Sequence, residues 1–103
     1  MAANPLPRPG KAMGTFSVDA ATVTNIGPVY PGDTIVWTNN TPRAITIVVS
    51  AVDGYFPLTV NSFTIPAGGT YTSTVAPNAP AGDYPFARNG NAGAGKIIVG
   101  SRK

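Results

Sequence analysis

The chain has 103 residues, of which 43% are hydrophobic and 11% charged, with no histidine and no cysteine. One small domain fits that length, the apolar share is too high for a disordered chain, and disulfides, thiol redox chemistry and imidazole catalysis are excluded. The net charge of +3 belongs to the ends: Arg8, Lys11, Arg102 and Lys103 flank a body in which Arg43, Arg88 and Lys96 face Asp19, Asp33, Asp53 and Asp83. A basic excess confined to two ends, with no aromatic residues interleaved among its charges, does not make a nucleic-acid surface, so no nucleic-acid partner is expected. A surface this poor in charge repels its neighbours weakly and favours packed assemblies. No stretch approaches the roughly 18 consecutive apolar residues of a membrane-spanning helix.

In chain order, residues 1–13 read as an extended arm, because alternating Pro5, Pro7 and Pro9 forbid a helix. The arm lacks the apolar core of a signal peptide. Either the protein acts without secretion, or a leader was removed and Met1 added. Residues 14–103 read as one domain of short strands punctuated by Gly and Pro. The predicted strands are Thr15 to Val18, Thr22 to Ile26, Thr34 to Thr38, Ala44 to Ser50, Ser62 to Ile65, Thr70 to Val75, Tyr84 to Ala87 and Lys96 to Val99. Period-two alternation puts Ile35 with Trp37, Ile45 with Ile47 and Val49, and Tyr71 with Val75 on core-facing sides. It leaves Val36, Val48 and Ile98 outside. Pro85, between Tyr84 and Phe86, marks its strand as an edge or an irregular one. The segment Tyr55-Phe56-Pro57-Leu58-Thr59-Val60 is expected to cover one side of the core, the other reading being insertion into a neighbour. The expected fold is all-β: an antiparallel Greek-key sandwich of about 7–8 strands.

Three stretches carry a resemblance. Val29-Tyr30-Pro31-Gly32-Asp33-Thr34-Ile35-Val36-Trp37-Thr38-Asn39-Asn40 resembles the cupredoxin strand that leads to the first histidine ligand. Ile65-Pro66-Ala67-Gly68-Gly69-Thr70-Tyr71 resembles that family's later hairpin. Ala81-Gly82-Asp83-Tyr84-Pro85-Phe86 followed by Gly95-Lys96-Ile97-Ile98-Val99 resembles its closing strand, ligand loop and last strand. The resemblance implies the family's sandwich. It also implies where copper ligands would stand: the first histidine falls on Arg43, the cysteine on Arg88, the second histidine on Asn91 and the methionine on Gly93 or Ala94. A blue-copper centre needs thiolate and imidazole, so no copper and no other cofactor is expected. Arg43 and Arg88 either splay into solvent or converge, with Asn91, on an anion or an acidic partner, since two guanidinium groups repel unless an anion lies between them.

Other motifs resolve into ordinary roles. Gly90-Asn91-Ala92-Gly93-Ala94-Gly95-Lys96 has phosphate-loop spacing, but Ile97 stands where a Ser or Thr should follow and a strand replaces the helix. Its glycines read as a pliable loop. Asn39-Asn40-Thr41 is a formal glycosylation sequon, blocked by Pro42. The only carboxylates are aspartates in turn-like settings, so no enzymatic activity is expected. The sequence points to a structural subunit, docking through Pro5, Pro7, Arg8, Pro9 and Lys11 of its arm and through its sheet faces. Its expected partner is a protein: further copies of itself or a larger capsid-like assembly, with the virion as location and capsid decoration as role. The alternative is a secreted or periplasmic binding module that recognises a cell-surface protein or polymer.

Overall fold

On most strands the inward positions carry β-branched or aromatic side chains and the outward ones mostly threonine, serine or charge, with Val36, Val48 and Ile98 among the apolar exceptions. In the computed structural model, which describes residues 14–100, this alternation builds eight strands: β1 (Thr15–Asp19), β2 (Asn25–Val29), β3 (Thr34–Thr38), β4 (Ile45–Val49), β5 (Ser62–Ile65), β6 (Thr70–Thr74), β7 (Gly82–Arg88) and β8 (Asn91–Val99). They form a three-stranded sheet in the order β1-β3-β6 and a five-stranded sheet in the order β2-β8-β7-β4-β5. The chain crosses between the sheets after β1, β2, β3, β5 and β6, which wraps one core between them. The all-β sandwich expected from the alternation is what forms, with one difference. β1 pairs with β3, and β2 with β8, in parallel. Because β1 crosses to the other sheet and returns as β3, the two strands run the same way, and both sheets are mixed rather than wholly antiparallel.

Trp37 is fully buried and bridges the sheets. From β3 its ring meets Phe63 of β5 edge-on at 5.3 Å and Phe86 of β7 at 5.7 Å. Its indole N–H donates to Ser73 Oγ at 2.9 Å, so the ring is buried without an orphaned donor. Ile35, Ile47, Ile65, Val75 and Ile97 belong to the same core cluster, each 0% exposed; full burial of such a side chain contributes about 1.5–3 kcal/mol. The buried Tyr84 donates its hydroxyl to Pro80 O at 2.6 Å. Burial first, and the Asp53 carboxylate second, raise its phenol above the usual tyrosine value.

Two local expectations need correction, and a third is decided between its alternatives. The second strand runs Asn25–Val29, not Thr22 to Ile26, because Thr22 and Val23 turn back to bond Asp19 O. Of the two settings expected for Pro85, the irregular strand is the one that occurs: β7 lies between β8 and β4, and its register with β8 shifts between Phe86 and Arg88. The proline is tolerated because β4 pairs only with Phe86–Arg88 and ends at Val49. Ser50 N donates to Pro85 O at 2.9 Å, and the missing proline N–H faces the place where β4 has run out. The glycine-rich stretch is not a loop but the first half of β8.

Asn89 and Gly90, at φ 51° and 82°, close a two-residue turn between the paired Arg88 and Asn91. Both central residues having positive φ is the hairpin geometry that Asn-Gly favours. A Cβ on Gly90 would meet nothing within 4 Å, so Gly90→Ala costs only backbone strain, about 1–2 kcal/mol. Calorimetry of that variant is expected to show a melting temperature lower by about 5–10 °C; an unchanged value would mean that the turn is not of this type.

Candidate functional site

One end of the sandwich gathers the loop after β3, the loop after β1 and the tip of the β7–β8 hairpin. Asn39 organises the first. It is 0% exposed. Its Nδ2 donates to Ile65 O at 3.1 Å and to Arg43 O at 2.7 Å, and its Oδ1 accepts from Thr41 N at 2.9 Å and Thr41 Oγ1 at 2.6 Å. A residue at the end of a strand in one sheet thus clamps an edge strand of the other, and the intervening loop presents Arg43 outward. Asn39 is therefore a structural amide rather than an exposed sequon residue.

Arg88 organises the other side. Its Nε donates to Ala20 O at 2.8 Å, one Nη donates to Val23 O, and the guanidinium lies 5.9 Å from the centre of the Phe86 ring. Next to it, Asn89 continues the β4–β7 ladder by one step, its N–H donating to Thr46 O at 2.8 Å and its Oδ1 accepting from Thr46 N at 2.9 Å.

Arg43, Arg88 and Asn89 together border a concavity of about 380 Å³, walled on its apolar side by Pro42, Ala44 and Ile45. Of the expected pair, Arg43 faces solvent and Arg88 does not splay, because two backbone carbonyls hold it. Asn91 does not line this concavity. It is exposed and begins β8, with β7 standing between it and the loop of Arg43. Asn89 takes the place expected of Asn91, and its Asn-Gly turn was the available signal.

The end that the resemblance assigns to copper therefore offers guanidinium and amide groups. The sequence has no histidine or cysteine, and no cluster of three potential metal-ligating side chains occurs among the described residues. Guanidinium groups carry positive charge and have no lone pair to give a metal ion, so these residues do not fit copper.

A second feature lies along the open edge of the five-stranded sheet. Val48, Ala51, Phe56 and Ser62 line an apolar groove of about 510 Å³. The segment expected to cover the core does so only through Pro57 and Leu58; Tyr55, Phe56 and Val60 are 48%, 47% and 49% exposed, and Val48 is 44% exposed. Its backbone is committed elsewhere, with Thr59 N bonded to Thr74 O and Ala76 N to Pro57 O, so those side chains have no core left to enter. The arm residues Pro5, Pro7, Arg8, Pro9 and Lys11 lie outside the described residues.

No protein-family profile matches the chain, and no curated protein does. Solved structures do. Two methionine-to-alanine variants of amicyanin in the copper(I) form superpose with TM-scores of 0.59 and 0.55 at 23% and 20% identity, each over 87% of this chain and 86% of the other. Lac15 from a marine microbial metagenome superposes at 0.52 and 16% identity, over 96% of this chain but 29% of its own length. These likenesses establish a cupredoxin-like fold.

Proposed function

We propose that this cupredoxin-fold chain is a non-catalytic assembly subunit that docks onto neighbouring copies in a multi-copy particle, such as the decoration of a capsid. The observation that carries the reading is the apolar groove of Val48, Ala51 and Phe56 on a domain this small, with Tyr55 and Val60 exposed on the same segment. Exposed apolar surface beside an open sheet edge marks an interaction site, and β5 has a hydrogen-bonded neighbour on one side only.

The proposed occupant is the arm of another copy. Pro5, Pro7 and Pro9 alternate in the sequence, a pattern suited to the extended form in which proline-rich segments enter aromatic-lined grooves. Charge agrees: Arg8 and Lys11 of the arm would meet Asp53, an exposed carboxylate with no ion pair among the described residues, three positions before Phe56.

Sedimentation of the full chain over a range of concentrations tests this. The expected result is reversible self-association that Phe56→Ser weakens at least about tenfold, the change expected from removing one buried aromatic anchor. A chain that stays monomeric at every concentration, or a Phe56→Ser variant that associates as the parent does, would remove the proposal.

A further inference from the structure

The geometry points to the concavity between Arg43 and Arg88 as a binding site for an organic carboxylate carried on a compact apolar body. Cations on two sides of one hollow are unfavourable unless something negative enters it. Among the described residues nothing does. The single ion pair there is Lys96 with Asp83, on the outer face of the five-stranded sheet. Asp19, the acid nearest in sequence to the loop that bonds Arg88, turns its Oδ1 to Ala21 N at 2.9 Å instead.

The donors differ in a useful way. Arg88 is fixed by Ala20 O and Val23 O, which leaves its Nη1 without a partner among the described residues. Arg43 has its backbone pinned by Asn39 and Thr41, while its guanidinium carries no hydrogen bond. Asn89 has Oδ1 committed to Thr46 N, so its Nδ2 is the free end of the amide. A preorganised cation, an adjustable cation and an amide N–H suit a planar carboxylate, which takes paired N–H donors. Pro42, Ala44 and Ile45 supply an apolar wall, and about 380 Å³ holds a small ring or one amino-acid side chain rather than a nucleotide. The same chemistry is offered by a free organic acid or by a carboxylate on a peptide.

The test is titration of the isotope-labelled full chain, followed by amide NMR shifts, with benzoate, acetate and inorganic phosphate at constant ionic strength. A capped peptide ending in phenylalanine, as its free acid and as its amide, separates the two sources. The expected result is benzoate binding at least about tenfold tighter than acetate or phosphate, with shifts at Thr41, Arg43 and Asn89. Arg43→Gln, whose side chain holds nothing else in place, is expected to weaken benzoate binding about tenfold while leaving the melting temperature unchanged. If the peptide acid binds as benzoate does and its amide does not, the ligand is carried on a peptide. If benzoate binds and neither peptide does, the ligand is a free acid. Phosphate binding as tightly as benzoate, shifts that map elsewhere, or benzoate affinity unchanged in Arg43→Gln would overturn the assignment.

Discussion

Asn39→Ala is expected to lower stability by about 3–5 kcal/mol, one of the largest losses available outside the aromatic core. The residue is 0% exposed and uses both ends of its amide. Truncation leaves Ile65 O without its side-chain donor inside the sandwich, frees Thr41 N and leaves Arg43 O with only the Thr41 hydroxyl. Each buried orphan costs about 1–3 kcal/mol, and water relieves only those on the loop side. In a domain of this size the loss corresponds to a melting temperature lower by about 15–25 °C. Asn39→Asp separates donor from acceptor: it keeps an acceptor for Thr41 but turns a carboxylate oxygen toward two carbonyls, so it is expected to melt no higher than the alanine variant. A shift below about 3 °C in both would show that the clamp between β3 and β5 is not what holds the loop of Arg43.

This clamp also shows what was readable in advance and what was not. Alternation along single strands located Ile35, Trp37, Ile45, Ile47, Val49 and Val75 in the core, all of them buried, and Tyr71, which is half-buried and stacks on Phe63, because which side of a strand faces inward is a local property. Asn39 read as half of a blocked sequon, since its partners lie 26 residues away on β5 and 4 away across a loop. No periodicity encodes a polar residue whose burial is permitted by a distant carbonyl. The parallel pairings of β1 with β3 and β2 with β8 are likewise properties of how the chain returns, not of any one strand.

The hairpin is legible in the sequence. Asn89-Gly90 between residues able to pair is a strong turn signal, but the many glycines beyond it suggested a loop. Tyr55, Phe56 and Val60 belong to a segment expected either to cover the core or to insert into a neighbour; the backbone bonds of Thr59 and Ala76 leave Pro57 and Leu58 as the side chains that turn inward.

Arg88→Met is the second large effect expected. Methionine keeps an apolar stem over Phe86 and removes both bonds to the loop after β1, to Ala20 O and Val23 O. Hydrogen bonds from a charged donor contribute about 1.5–3 kcal/mol each, and partial exposure of this side chain brings the expected total to about 2–4 kcal/mol, or about 10–20 °C in melting temperature. Arg88→Lys should recover little, because one ammonium cannot reproduce a planar fork reaching two carbonyls. The loss should also be local: amide exchange is expected to accelerate first at Thr22 and Val23, whose N–H groups bond Asp19 O and close the loop that Arg88 holds.

Equal melting of Arg88→Met and the parent would show the guanidinium to be idle. Otherwise the position that the cupredoxin resemblance assigns to a metal-binding thiolate carries a structural cation. The loop after β1 packs Ala20, Ala21 and Val23 against the core, and polar bonds add to that packing. Here a guanidinium bonded to backbone carbonyls does so from one side and the Asn39 amide from the other. A fold tied in this way needs no metal to hold that end closed, which leaves the hollow between Arg43 and Arg88 free to take a ligand of opposite charge.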